Sequence, residues 1–333
     1  MADEPQRPLR VALVSDAWGS SERGNGTTVE RWRLLCPEII QPVRTGDPPP
    51  EGPPPDLVHG YHVIRGGLAA RRLASHYGCP LVMSLGGTDL AAVALGLPER
   101  LAVLSALDGV AVLTGAFPSF EAPFQGQVPF ITVPRSIPCP SEVGPLRAPD
   151  GTIRALLVAG LRPVKDVLYA IELARTLRSH GLPIRLTILG ARSDEAYAQQ
   201  VDQSLRGLEG IHLLRNVPHH QMELVYRSHD VLWNTSLHEG GANAILEAVS
   251  FGLPVFLRSV LGNRDYFLPH SPPGLLFDGD LTSALHFHSS LLTLTAAERF
   301  DSALSGLHWL QSLHSPSLEG SSLLLAWSRA LHL

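Results

Sequence analysis

The chain is poor in cysteine and methionine and holds no long apolar run. Each shortage removes a class of protein. Only three cysteines, Cys36, Cys79 and Cys139, stand in 333 residues. Their odd number and wide spacing argue against a disulfide framework and against a local metal knuckle, and a reducing, cytoplasmic setting is the expectation. The opening residues lack the basic and then apolar run of a secretion signal, and no stretch approaches the roughly 20 apolar residues of a membrane span. Positive charge is not in excess either. A formal net charge of −5 and a pI near 6.3 exclude the basic footprint of a nucleic-acid binder. His219, His220, His286 and His288 show no recurring ligand spacing with a carboxylate partner, so no zinc site is expected. Asn25-Gly-Thr27 and Asn234-Thr-Ser236 fit the N-glycosylation pattern, but that pattern needs a secretory context, and both are expected to be idle.

What is present is a 44% apolar content, enough for two cores in a chain longer than one core usually fills. Short apolar runs alternate with helical patterns, the rhythm of parallel strands joined by crossover helices. Strands are predicted at residues 9–15, 56–61, 80–85, 109–113 and 129–133, with helices over 28–35 and 66–76. Residues 42–55, rich in proline and glycine, are predicted to be a surface loop. The proline-broken segment 141–152 is predicted to link a first domain, 1–140, to a second, 153–312. There the alternation restarts, with strands at 154–159, 184–189, 212–214, 230–234 and 254–257 and helices over 167–180 and 194–208. Residues 313–333 are predicted to form a C-terminal helix near the domain junction. The expected fold class is α/β, two facing Rossmann-like, doubly wound domains with an interdomain cleft.

Open α/β sheets bind ligands at the carboxyl ends of their strands, and each candidate group follows a predicted strand. Glu239-Gly-Gly-Ala-Asn-Ala-Ile-Leu-Glu247 sets two carboxylates eight positions apart across a glycine-rich turn. Small residues there allow close backbone approach to a phosphate, and carboxylates can hold sugar hydroxyls. The alternative is an ordinary helix start with two solvated acids. Arg162 and Lys165 follow the first strand of the second half and offer a planar fork and a compact ammonium for a diphosphate, or else form a helix start with an Arg–Asp pair. Gly19 to Gly26 form a glycine-rich turn after the first strand, with Thr27 and Thr28 as helix caps. No Gly-Lys-Ser/Thr follows, which excludes a Walker loop. His59 reads as a core histidine, whereas His62, beside Arg65, can reach a sugar hydroxyl. Gly86-Gly-Thr-Asp89 ends a further strand, and Asp89 either meets an acceptor or caps the next helix. Asp278 and Asp280, which follow a predicted turn and strand at 272–277, read as a turn and a helix cap rather than a metal pair.

Gly160-Leu-Arg162-Pro-Val-Lys165-Asp, the Glu239 to Glu247 pair and Gly252-Leu-Pro-Val255 together resemble the C-terminal domain of retaining GT-B glycosyltransferases of family four (glycosyl transferases group 1). Gly24-Asn-Gly26, His62-Val-Ile-Arg65-Gly-Gly67 and Gly86-Gly-Thr-Asp89 are similar to blocks of the group of glycosyltransferase 1 domain-containing proteins, and bacterial selenosugar synthases share several of them. The resemblance implies a nucleotide-diphosphate-sugar donor, UDP- or GDP-linked, transfer of a hexosyl group with retention to an unknown acceptor, and no metal or other cofactor. It implies Arg162, Lys165, Glu239 and His62 as catalytic residues, with Arg162 and Lys165 on the diphosphate and Glu239 on the donor sugar. Gly24, Gly26, Gly241, Ala242, Asn243 and Glu247 would bind the donor, Glu247 at the ribose. Thr88, Asp89 and Arg65 would face the acceptor. A nucleotide-sugar epimerase, a selenosugar synthase, or a nucleotide-sugar-binding protein without turnover are the alternatives.

Overall fold

The computed structural model describes residues 7–19, 24–124, 126–215 and 217–332. They fall into two compact units, one of residues up to 136 together with 316 onward, the other of 137–315. The segment 141–152, expected as a linker, thus lies within the second unit.

In the first unit, β1 (Val11–Ser15), α1 (Gly24–Leu35), β2 (Ile40–Arg44), β3 (Leu57–Tyr61), α2 (Val63–Tyr77), β4 (Leu81–Ser84), α3 (Gly87–Ala94), α4 (Arg100–Ala106), β5 (Val112–Gly115) and β6 (Phe130–Thr132) build a six-stranded sheet. Its order is β2-β1-β3-β4-β5-β6, and every pair is parallel. The second unit holds β7 (Ile153–Val158), α5 (Val167–Ser179), β8 (Ile184–Leu189), α6 (Glu195–Ser204), β9 (Ile211–Leu214), α7 (Met222–Arg227), β10 (Val231–Asn234), α8 (Asn243–Ser250), β11 (Val255–Arg258), β12 (Gly274–Phe277), α9 (Leu281–Thr293) and α10 (Ala296–Leu313). Its sheet is also parallel, in the order β12-β11-β10-β7-β8-β9. Strand order reverses between β1 and β3 in one sheet and between β7 and β10 in the other, and these are the positions where such sheets open a crevice at their carboxyl ends.

One strand escapes the sequence reading. Residues 40–44 pair with β1 although Pro42 lies among them. β2 is an edge strand, where a proline that cannot donate to a second neighbour is tolerated. The predicted loop is therefore shorter than 42–55. The helix predicted over 66–76 begins earlier, at Val63, and the one predicted from Thr28 begins at Gly24. Among the described residues no helix is long and apolar enough to cross a membrane, and the three cysteines are unbridged.

The last helix, α11 (Pro316–Leu331), belongs to the first unit and packs on β3 to β6. Leu323, Ala326 and Trp327 join the core formed by Val11, Leu13, Trp32, Leu57, Val82 and Val112. Trp327 Nε1 donates to His59 Nδ1 at 3.1 Å, so the His59 proton sits on Nε2, 2.8 Å from Ser84 Oγ. Burial pushes the His59 pKa down to about 3, and it serves as the neutral core histidine the sequence suggests. Glu319 is fully buried as well. It accepts two bonds from the Arg31 guanidinium at 2.7 and 2.9 Å, one from Trp32 Nε1 at 2.6 Å, and two from the N–H and hydroxyl of Ser136. Removing one member of a buried ion pair strands the other charge. Glu319→Ala is therefore expected to destabilise the first unit by about 3–5 kcal/mol, read as a lower denaturant midpoint. A midpoint equal to that of the unmodified chain would show that α11 is held by its apolar face alone.

Candidate functional site

In the second unit, Lys165 and Glu239 come together where strand order reverses. After β7 the chain makes a single 3₁₀ turn, Pro163–Lys165, before α5. Arg162 and Lys165 are thus at the two ends of one tight turn and not on successive turns of a helix. Asp166 closes it with φ 45°, a strained choice for a non-glycine residue. Its carboxylate does not pair with Arg162 but takes Arg258 Nη1 from β11 at 2.5 Å. That guanidinium lies 4.3 Å above the Tyr169 ring and also donates to Thr235 O.

Glu239 follows β10 and is 7% exposed. Its Oε1 lies 2.6 Å from Lys165 Nζ, 2.6 Å from Ser236 Oγ and 3.0 Å from Asn234 Nδ2. Burial by itself raises this carboxyl, but the Lys165 ammonium, with Ser236 and Asn234, outweighs it and holds the group below its ordinary value. Asn234 is oriented in turn by Asn263, which is fully buried and donates through Nδ2 to Asn234 Oδ1 at 3.2 Å and to Arg258 O at 3.0 Å. Asn263 Oδ1 has no partner among the described residues. Gly262 carries φ +86°, and a Cβ there would lie 2.3 Å from Glu239 O.

Gly241 adopts φ +92°, which explains a glycine before α8. Ala242, at the start of that helix, caps nothing with its side chain, and its carbonyl accepts the Tyr266 hydroxyl at 3.1 Å. Asn243 opens the helix. Glu247, one turn on, takes the Tyr226 hydroxyl at 2.7 Å on Oε2, while Oε1 faces His219 Nε2 at 3.9 Å. The carboxylate raises the His219 pKa. Glu239 and Glu247 therefore differ in kind, one buried in a network and the other partly open beside an exposed imidazole.

In the first unit, His62 follows β3 with φ 71° and is 3% exposed. Its Nε2 lies 2.6 Å from Thr88 Oγ1 and its Nδ1 3.1 Å from Asp89 Oδ1. Asp89, with no exposed surface, accepts from the N–H groups of Val63, Ile64 and Gly86 at 2.8, 3.1 and 2.8 Å. Of the two readings open for it, the cap is the one the geometry supports: it joins the turn after β3 to the turn after β4, and Thr88 is the exposed member of the pair. Gly86 has a steric reason too, since a Cβ there would meet the His62 ring at 2.3 Å. Arg65 Nη1 stands 4.0 Å from Asp16 Oδ2. Gly24 and Gly26 lie in the first turn of α1, and Thr28 does not cap that helix; its hydroxyl donates back to Gly24 O at 3.0 Å. Ser20 to Arg23, the middle of the glycine-rich turn, lie outside the described residues.

Sequence reasoning passed over Asn234, Ser236, Asn263, Arg258 and Tyr226. The available signal was a polar run, Asn234-Thr-Ser236, ending an apolar strand. Among the described residues no group of His, Cys, Asp and Glu could hold a metal. Asp280 caps α9 through the N–H groups of Thr282 and Ser283.

Residues 142–292 match the family model described as "Glycosyl transferases group 1". A segment of 122 residues, 37% of this chain, is 34% identical to the Xenopus tropicalis glycosyltransferase 1 domain-containing protein 1, of which it spans 35%. Among solved structures, sucrose-phosphate synthase from Thermosynechococcus elongatus aligns with a TM-score of 0.74 at 14% identity, covering 96% of this chain and 98% of that one. Anabaena Alr3699/HepE, solved in complex with UDP and glucose, aligns at 0.72 and 11% identity, covering 96% and 99%. With its two parallel six-stranded sheets and flanking helices, the chain has an α/β fold of the GT-B type.

Two outcomes follow from the Glu239 network. Gly262→Ala must displace the Glu239 backbone or adopt a disfavoured φ, and a loss of about 1–3 kcal/mol is expected; an unchanged unfolding midpoint would show that the turn yields freely. Because the Glu239 carboxyl is held below its ordinary 4.5, its contribution is complete above that pH and is lost as pH falls through the folded-state value. Lys165→Met should lower stability near neutrality and flatten the acid side of the pH–stability curve. Parallel curves for the two proteins would contradict the pairing.

Proposed function

We propose that this protein is a glycosyltransferase that moves a hexosyl group from a nucleotide-diphosphate sugar to an acceptor with retention of configuration. The observation that carries this reading is the Lys165–Glu239 pair, held where the strand order of the second sheet reverses, within the residues that match the family model. An ammonium and a carboxylate side by side suit a ligand that is anionic at one end and hydroxylated at the other. Arg162 and Lys165 would neutralise the leaving diphosphate as the bond to the anomeric carbon breaks, a place where fixed positive charge favours the transition state over the ground state. Glu239 would hold the donor sugar, Glu247 the ribose, and Gly241, Ala242 and Asn243 the backbone-facing side of the donor.

Glu239 is a poor candidate for a covalent nucleophile, because three donors already bind one of its oxygens. Retention then follows from internal return. The acceptor oxygen attacks the anomeric carbon on the face the diphosphate leaves, and its proton passes to a diphosphate oxygen. We assign UDP as the leading donor base on the UDP named with Alr3699/HepE, and Thr88 and Arg65 to the acceptor side. The two arginine and lysine charges would replace a metal ion, so turnover should survive a chelator. Three unbridged cysteines support a cytoplasmic setting.

A thermal-shift screen of UDP, GDP and ADP sugars tests the donor pocket directly, since a ligand that binds only the folded state raises its midpoint. UDP-hexoses are expected to stabilise the protein, and Lys165→Ala should cut kcat/KM by roughly 10²–10³. Silence from every donor would overturn the reading. Stabilisation without transfer or hydrolysis would leave a nucleotide-sugar-binding protein instead.

A further inference from the structure

The second unit holds a charged cleft that the proposed reaction does not use. Its lining includes Arg147, Arg227, Arg299, Asp230, Phe251 and Leu294. Asp230 directly precedes β10, and its Oδ2 accepts the N–H of Arg154 in β7 at 2.8 Å. The cleft therefore lies at the amino-terminal ends of these strands, whereas Lys165 and Glu239 follow their carboxyl ends. Between the two places runs β10, four residues long and so about 13 Å from end to end.

Three guanidiniums meet one carboxylate here, and that carboxylate is already satisfied. Asp230 takes Arg147 Nε at 3.1 Å and Nη2 at 2.7 Å beside the Arg154 N–H. Arg147 is used up in turn, since its Nη1 donates to Ala148 O and its Nη2 also to Thr152 O. The other two cations are not. Arg299 gives Nε and Nη2 to the carbonyls of Leu294 and Leu291, and its Nη1 has only a 3.4 Å contact with Asp230 Oδ1. Arg227 gives Nε to Glu223 and Nη1 to Pro145 O, and among the described residues its Nη2 donates to no partner. Glu223 and Asp150, the other acids paired with these arginines, are exposed and stand outside the lining. The side chains of Arg299 and Arg227 are 15% and 22% exposed, open to an ion from solvent but partly shielded from water.

A tetrahedral dianion can take donors from two guanidiniums at once, whereas a planar carboxylate is matched by a single fork. Phe251 and Leu294, both partly exposed, border the same space. We propose that this cleft is an anion site for a small phosphomonoester, whose phosphate lies on Arg227 and Arg299 and whose apolar part lies against Phe251 and Leu294. Such a site would stand whether or not the other end of the sheet receives a nucleotide sugar.

Calorimetric titration of the full chain with inorganic phosphate and with phenyl phosphate tests this, with ionic strength held by chloride so that screening stays constant. Both are expected to bind, phenyl phosphate the more tightly for its ring. Arg227→Gln should weaken both roughly ten-fold. Gly144→Ala should weaken them too while keeping every charge, because a Cβ at Gly144 would lie 2.5 Å from Arg227 Nη1 and Nη2 and must push the guanidinium aside. Neither residue is bonded to Asp230, so the thermal midpoints of both variants should stay near that of the unmodified chain. Lys165→Ala should leave this binding in place. Absence of phenyl phosphate binding at millimolar concentration, or affinity unchanged in both variants, would overturn the proposal. Loss of all binding in Lys165→Ala with Arg227→Gln unaffected would overturn it as well, because the anion would then belong to the strand ends at Lys165.

Discussion

A carboxylate buried between two neighbouring strand ends is the constraint from which the second unit's site follows. Left alone, Glu239 would either take up a proton or pull the turn toward water. Lys165, one turn beyond β7, prevents both by standing 2.6 Å away, and the pair thereby fastens the turn after β7 to the turn after β10. The surrounding choices serve that contact. Gly262 has to lack a side chain where it meets the Glu239 carbonyl, and Asn263 turns the Asn234 amide so that its nitrogen faces the carboxylate. On the other flank Asp166 and Arg258 hold the same turn, with the guanidinium resting on Tyr169.

The first unit uses the same device with other residues. Asp89 is buried and receives N–H groups from the turns after both β3 and β4. It keeps His62 in a backbone conformation that would otherwise be costly, and Gly86 leaves room for the imidazole. A second buried carboxylate, Glu319, performs the corresponding task on the far side of the chain by gathering Arg31, Trp32 and Ser136 around the last helix. Parallel strands leave their carboxyl-end turns without direct backbone pairing to one another. A side chain that accepts several donors at once is a compact way to join them.

The parts of this architecture visible in sequence are those that local chemistry decides. Alternating apolar runs marked eleven of the twelve strands, and the one omitted, β2, contains a proline that its place at the sheet edge makes harmless. Arg162, Lys165, Glu239 and Glu247 could be picked out because glycines and strand ends frame them. What could not be read is pairing over distance. Nothing local shows that Asp166 faces Arg258 and not Arg162, that Asn263 governs Asn234, or that Glu319 meets Arg31 nearly three hundred residues earlier. Asp89 illustrates the middle ground, since both a cap and an acceptor contact fit its spacing, and only its burial separates them.

The same pairing bears on how a charged ligand would be received. Lys165 is already ordered against Glu239, so an arriving diphosphate would find its counter-charge in place, without the reorganisation that water would require. As the ammonium turned toward phosphate, Glu239 would lose one of its donors while remaining buried. A carboxylate in that position gains most from a hydroxyl that can replace the lost hydrogen bond. On the proposed reading, the donor's sugar supplies that hydroxyl and its diphosphate removes the ammonium, so the two ends of one ligand would exchange partners with the two ends of one ion pair. A nucleoside diphosphate without its sugar would take the cation and leave the carboxylate short of a donor. In physical terms, that difference is a reason for such a site to distinguish donor from product.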